Sequence, residues 1–229
     1  MSRPKGARDG DYDDKRSVLL RRITARLMRR ETARPSFRQL AEAGDVSVPT
    51  LRHYFGDRPT LMAAILETYL EAGRRGLEAV AEPTGNLETS IRDYCAALLT
   101  AMRAPREARL GDVFAVSIAE GLLDAEIGPS TLRYIVDPSV DVLRRRLDAH
   151  VARGEMIATD TRAAALFLIS PLLLAILHQD HLGGRDTSPV DLPAAFDSIC
   201  AAFLRAYAAP EQLRRGVAVG GSDRRGLGD

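Results

Sequence analysis

Alternation of apolar and polar side chains with period two never persists beyond a few residues in this chain, while apolar residues recur at three- and four-residue spacing along most of it. Strands need the first pattern and amphipathic helices the second, so helices have to carry the fold. With no Trp and only 5% aromatics, the core must be packed largely by Ala and Leu, which suits helix against helix. At 229 residues the chain can bury that core without a disulfide or a structural metal. The expected class is all-α.

Gly, Pro and capping residues divide the helical pattern. A charged, flexible arm is expected over residues 1–14, then a helix whose apolar face is Leu19, Leu20, Ile23 and Leu27, with Arg21, Arg22, Arg26, Arg29 and Arg30 over much of its remaining surface. Individually those arginines read as solvated charges. Pro35-Ser36 makes a break and an N-cap for a short helix over Phe37–Ala43. Gly44-Asp45 is a tight turn, and Ser47 caps a further short helix to about Tyr54, with Pro49 tolerated in its first turn. Longer helices follow at about 60–80 and 87–102. Gly111, Gly121, Gly128-Pro129 and Asp137-Pro138 are expected to cut 105–137 into short pieces. Helices at 140–152 and 163–178 come next, then a last one opened by a capping box at Ser188-Pro189-Val190-Asp191. The tail, 210–229, reads as disordered. The domains expected are a helix-turn-helix unit over 15–60 and a helical body over 61–209.

Charge is distributed unevenly. Residues 1–62 carry 14 Lys/Arg against 8 Asp/Glu, and the remainder carries 18 against 23, so a head of +6 sits on a body of −5. Such a head suits a polyanion. The segment Ser36–Leu61 has the layout of short helix, turn, short helix. Leu40, Val46 and Leu51 can form a wedge holding the pair at a steep angle and leaving the second helix free to enter a major groove. Val48, Thr50, Arg52 and His53 would then face base edges or nearby phosphates, and the helix end capped by Ser47 suits a phosphate.

Leu40, Ala41, Gly44, Asp45, Val46, Ser47, Thr50, Leu51, Arg52, Phe55, Arg58 and Leu61 follow, without insertion, the signature I-A-x-x-A-G-V-S-x-x-T-L-Y-x-x-F-x-x-K-x-x-L. In this the chain resembles the TetR family of transcriptional regulators. Three departures stand out. Gly44-Asp45 replaces Ala-Gly, which moves the unusual backbone conformation to Asp45. Arg52 stands at the phosphate-binding Tyr and Arg58 at the Lys, so both keep or add positive charge. By position the resemblance implies DNA contacts at Ser36, Ser47, Thr50, His53, Tyr54 and Arg58. Adding Arg38, Val48, Pro49 and Arg52 completes the candidate set, with Arg52 able to make a bidentate contact to guanine.

The resemblance further implies a ligand-responsive repressor that binds double-stranded DNA as a homodimer, with late helices forming the interface. The apolar helices near 140–152 and 163–178 are the candidates for that role. It also implies a small-molecule effector in the body, for which Tyr94, Met102, Phe114, Tyr134 and Phe167 are possible linings. The rival reading is a helical small-molecule-binding or structural dimer without DNA affinity. No catalytic motif, phosphate loop or zinc spacing is visible, so neither an enzyme nor a cofactor is expected. His178, Asp180 and His181 invite a metal reading, but a polar helix exit before Gly183-Gly184 explains them as well. Cys95 and Cys200 lie in Ala/Leu-rich stretches and read as reduced core residues, with a redox role as the lesser alternative. No apolar signal segment opens the chain, and Ser170 and Pro171 interrupt its longest apolar stretch, so a cytoplasmic protein without a membrane partner is expected.

Overall fold

The computed structural model describes residues 5–29, 34–105 and 108–210, with side chains from Tyr12 onward. The expected tail lies outside these residues, Pro210 excepted. Helices account for the regular structure: α1 (Lys5–Leu27), α2 (Phe37–Gly44), α3 (Val48–Phe55), α4 (Arg58–Ala79), α5 (Leu87–Arg103), α6 (Leu110–Leu123), α7 (Gly128–Thr131), a π-helical turn (Leu132–Val136), α8 (Asp137–Ala152), α9 (Thr161–Asp180), α10 (Gly184–Thr187) and α11 (Leu192–Tyr207). Among the described residues the only β pairing is one isolated bridge, Met156 with Ala208.

Two compact units divide these elements. The first takes residues 1–73 and 102–136, the second 74–101 and 137–229. The unit containing the short helices is therefore larger than the 15–60 expected from sequence. Ile127 is packed into the same core cluster as Leu19, Leu20, Ile23, Leu27, Leu40, Leu51, Phe55, Leu61, Met62 and Ile65. A smaller cluster in that unit joins Leu66, Ala108 and Val113, with Tyr69 and Tyr134 packed against it.

Several local expectations are corrected. α1 begins at Lys5, so most of the stretch read as a flexible arm is helical. α6 runs unbroken through Gly111 and Gly121. Gly121 is there for proximity, since a Cβ on it would stand 3.2 Å from the Cα of Gly128. Pro138 lies in the first turn of α8, a position that needs no N–H donor. The cap of α11 is Asp191, whose carboxylate accepts from the Ala194 N–H, and not Ser188.

In the second unit α9 packs on α8 and α11 and buries Ala164, Ala165, Leu168, Ile169, Leu172 and Ile176. Among the described residues it is the one helix long and apolar enough to cross a membrane, and that buried row is what a core helix needs. Arg146 of α8 is buried and donates to the Val80, Glu82 and Ser90 carbonyls and to the Ser90 hydroxyl at 2.6–2.8 Å. It thereby ties the carbonyls just beyond α4 to the first turn of α5.

Candidate nucleic-acid interface

The helix-turn-helix is built from local signals. Ser36 caps α2 through a capping box: its hydroxyl accepts from the Gln39 N–H at 3.3 Å, and the Gln39 side chain accepts from the Ser36 N–H at 2.8 Å. α2 ends at Asp45, which is left-handed at φ 57° and ψ 45°, and the Asp45 and Val46 N–H groups return to the last carbonyls of the helix. Among the described residues Asp45 is the only non-glycine with positive φ. Gly44 serves a different need, because a Cβ there would fall 2.3 Å from Leu19 Cδ1 of α1. The Gly-Asp order thus places the small residue at a helix crossing and leaves the left-handed cap to a residue type that tolerates it.

Ser47 then caps α3 by accepting from the Thr50 N–H at 3.2 Å, and its Oγ lies 2.8 Å from the Thr50 hydroxyl. Leu51 and Phe55 are buried, and Val46, Val48 and Tyr54 pack against the same cluster. The other face is open: Pro49, Arg52 and His53 are exposed and Thr50 partly so. Arg52 and His53 therefore point away from the core of their unit, as a groove-reading helix requires.

α1 supplies an unexpected support. Tyr12 stacks on Tyr54 with ring centroids 4.9 Å apart and meets His53 edge-on at 6.0 Å. The Arg16 guanidinium lies 5.0 Å over the Phe55 ring. A stretch read from sequence as an arm thus backs the last turn of α3. No spacing rule announces this, because the partners lie about 40 residues apart.

Not every candidate is free for a phosphate. Ser36 and Arg38 are exposed on α2, where Arg38 pairs loosely with Glu42 at 3.6 Å. Arg58 turns inward. Its Nε donates to Glu120 Oε2 at 2.8 Å, a second nitrogen donates to Glu120 Oε1, and Nη1 donates to the Pro35 carbonyl at 2.6 Å. Arg34 Nε donates to the same Glu120 oxygen at 2.9 Å. Burial pushes the Glu120 carboxyl up, but the bonds from Arg58 and Arg34 outweigh it and hold the group below its ordinary value. One α6 carboxylate thereby ties down the chain just before α2 and just after α3.

The helix-1 arginines gain a setting that sequence did not suggest. Arg21, Arg22, Arg26 and Arg29 line an open groove of about 700 Å³, faced across it by Gln39, Glu42 and Ala43 of α2.

The five lining candidates are divided between the two units. Met102 and Phe114 are buried and Tyr134 half-buried in the first unit, with the Arg133 guanidinium 5.4 Å over the Tyr134 ring. Tyr94 is buried in the second unit, where loss of solvent raises its pKa. Phe167 is 54% exposed in that unit, edge-on to Tyr207 at 6.0 Å. Among the described residues no cluster of three or more His, Cys, Asp or Glu side chains could hold a metal. Asp180 accepts from Arg185 at 3.1 Å, and the His178 ring packs against Gly184.

Solved structures share this architecture. A TetR family transcriptional regulator from Pseudomonas syringae superposes with a TM-score of 0.66 at 16% identity, over 86% of this chain and 99% of that one. The chain has the fold of the TetR-family regulators. SmeT, the repressor of the Stenotrophomonas maltophilia multidrug efflux pump SmeDEF, matches with a TM-score of 0.57 at 17% identity over 85% and 91% of the two chains. The flavonoid-responsive regulator FrrA matches at 0.61 and 18% over 86% and 99%. No family model and no curated protein sequence matches the chain. In the TetR fold seen here, the helix-turn-helix is α2 and α3.

Proposed function

We propose that this protein is a transcriptional regulator that binds operator DNA as a homodimer and is released by a small-molecule effector. The observation that carries the reading is α3: a capped eight-residue helix that buries Leu51 and Phe55 and leaves Arg52 and His53 exposed. The proposed contacts are Ser36, Arg38, Ser47, Val48, Pro49, Thr50, Arg52, His53 and Tyr54. Arg58 holds the unit together in this conformation and reaches a phosphate only by leaving Glu120.

Dimerisation is supported by the outer face of α9. Leu166, Phe167 and Leu174 are exposed there, with Ser170 between them and Ala163 before them at helical spacing, and a lone unit gains nothing from such a stripe. α8 offers a charged outer face instead, with Arg162 pairing to Asp137 and Asp141, and Arg144 to Asp148. The interface is therefore assigned mainly to α9. Neighbours in fold include a repressor and a flavonoid-responsive regulator by name, which supports an effector of small apolar or aromatic character. Such a ligand acts by binding the DNA-incompetent conformation more tightly.

Retention of promoter fragments on the purified chain at physiological salt, followed by anisotropy titration on the best fragment, tests the reading. Affinity should fall steeply with salt, with a log–log slope of about −0.9 per neutralised phosphate. Arg52→Ala should weaken that fragment by roughly 10- to 100-fold while sparing unrelated duplex. A protein that retains no fragment, or whose binding ignores both salt and Arg52→Ala, is not a DNA-binding regulator.

A further inference from the structure

Cys95 on α5 and Cys200 on α11 are 2% and 1% exposed, and their Sγ atoms lie 2.9 Å apart. Both belong to the second unit. One turn away on the same pair of helices, Arg92 donates to Asp197 at 3.3 Å. Positions 92 and 95 on α5, and 197 and 200 on α11, are each separated by three residues. The ion pair at the rim and the sulfur pair inside therefore lie in one register between the two helices. The rim pair is exposed, so the sulfurs sit about one helical turn from solvent. Two sulfurs so held need approach by only about 0.9 Å to reach covalent length.

We propose that Cys95 and Cys200 are a reversible dithiol–disulfide site that links α5 to α11 in response to hydroperoxides. The hydrogen bond shared with Cys95 favours the Cys200 thiolate against the opposing effect of burial, and the Arg92 charge acts in the same sense. Hydrogen bonding to Cys200 and burial both keep Cys95 protonated. With Cys200 as the attacking sulfur and Cys95 as the resolving one, the product is the same disulfide as with the two roles exchanged. The thiolate attacks one peroxide oxygen, the O–O bond breaks, and the departing oxide takes up the proton that Cys200 released. The sulfenic acid on Cys200 is then attacked by Cys95 sulfur. An S–S bond forms, the S–O bond breaks, and the hydroxide leaves as water with the Cys95 proton. Two electrons pass from the sulfurs to the peroxide, and hydrogen peroxide ends as two waters.

Treating the purified full-length chain with hydrogen peroxide, then alkylating it in denaturant and measuring its intact mass, tests this directly. The expected result is a loss of 2 Da, with both thiols protected from alkylation and restored by dithiothreitol. Closing a loop between residues 105 apart should raise the melting temperature of the oxidised protein by about 5–10 °C. Cys95→Ala and Cys200→Ala should each keep one alkylatable thiol before oxidation and show no such rise. The wild-type mass and thiol count need no variant, so a poorly folding substitution leaves the test intact. Two thiols still reactive after oxidation overturn the assignment. So does a gain in steps of 16 Da without the 2 Da loss, or a disulfide joining two chains.

Discussion

Asp45 pays a conformational cost that its neighbour does not. It adopts the left-handed cap of α2, while Gly44 beside it is needed small against Leu19. Asp45→Gly should therefore stabilise the protein by about 0.5–1 kcal/mol, read as a higher urea midpoint at unchanged slope. Gly44→Ala should destabilise it by about 1 kcal/mol or more, because Leu19 has to move. His150 makes a second case at this scale. Its ring is fully buried, with Nδ1 2.7 Å from Glu155 and Nε2 without a partner. Burial holds its pKa below 6.5, Glu155 opposes that, and the Arg153 and Arg146 charges add to the depression. The unfolded chain therefore takes up a proton as pH drops below about 6.5 while the folded chain does not, and stability falls through that window. Melting temperatures between pH 7.5 and 5.5 should decline less in His150→Gln than in the wild type. Equal declines would show that His150 does not contribute to the pH dependence.

Elements in this fold owe their starts to local chemistry and their continuity to distant partners. The caps at Ser36 and Ser47 are readable from sequence, so α2 and α3 fall within a residue of where spacing puts them. α6 is not readable in this way, because the reason it tolerates Gly121 is a backbone crossing with Gly128. The extent of α1 is likewise hidden, since Tyr12 gains its helical place from rings on α3. Apolar spacing marks Leu40 and Leu51 as core, but it carries no information about charges that meet across 60 residues or more. The clamp at Glu120 belongs to that hidden class, since no spacing joins Arg58 or Arg34 to α6. Glu120→Gln should lower stability by about 2 kcal/mol at neutral pH, less than a fully buried pair because Arg34 is 37% exposed. Because the carboxyl pKa is depressed, the wild-type advantage is present above pH 4.5 and is lost as pH falls through the folded value. Operator affinity should weaken in Glu120→Gln at salt concentrations where the variant is still folded, since the segments flanking α2 and α3 lose their shared anchor. Unchanged affinity would show that the clamp stabilises without positioning.

At the scale of the whole molecule, on the DNA-binding reading proposed above each α3 would present few base-reading side chains, so discrimination would have to come from two copies on one duplex. The stripe of Leu166, Phe167 and Leu174 would supply the means, because a second copy of α9 can cover it by two-fold self-complementation. Leu174 is 62% exposed, so introducing charge at it or at Leu166 changes little in the isolated unit and much in an interface. Sedimentation of the wild type at micromolar concentration should give a mass near twice 25.0 kDa, and Leu166→Glu/Leu174→Glu a single mass with a melting curve still cooperative. In that variant, affinity for a two-half-site operator should fall by at least 100-fold, while affinity for non-specific duplex should fall far less, because the two heads no longer act at one effective concentration. A variant that stays dimeric would place the interface elsewhere on the chain. One that becomes monomeric yet keeps full operator affinity would mean that a single head carries the specificity.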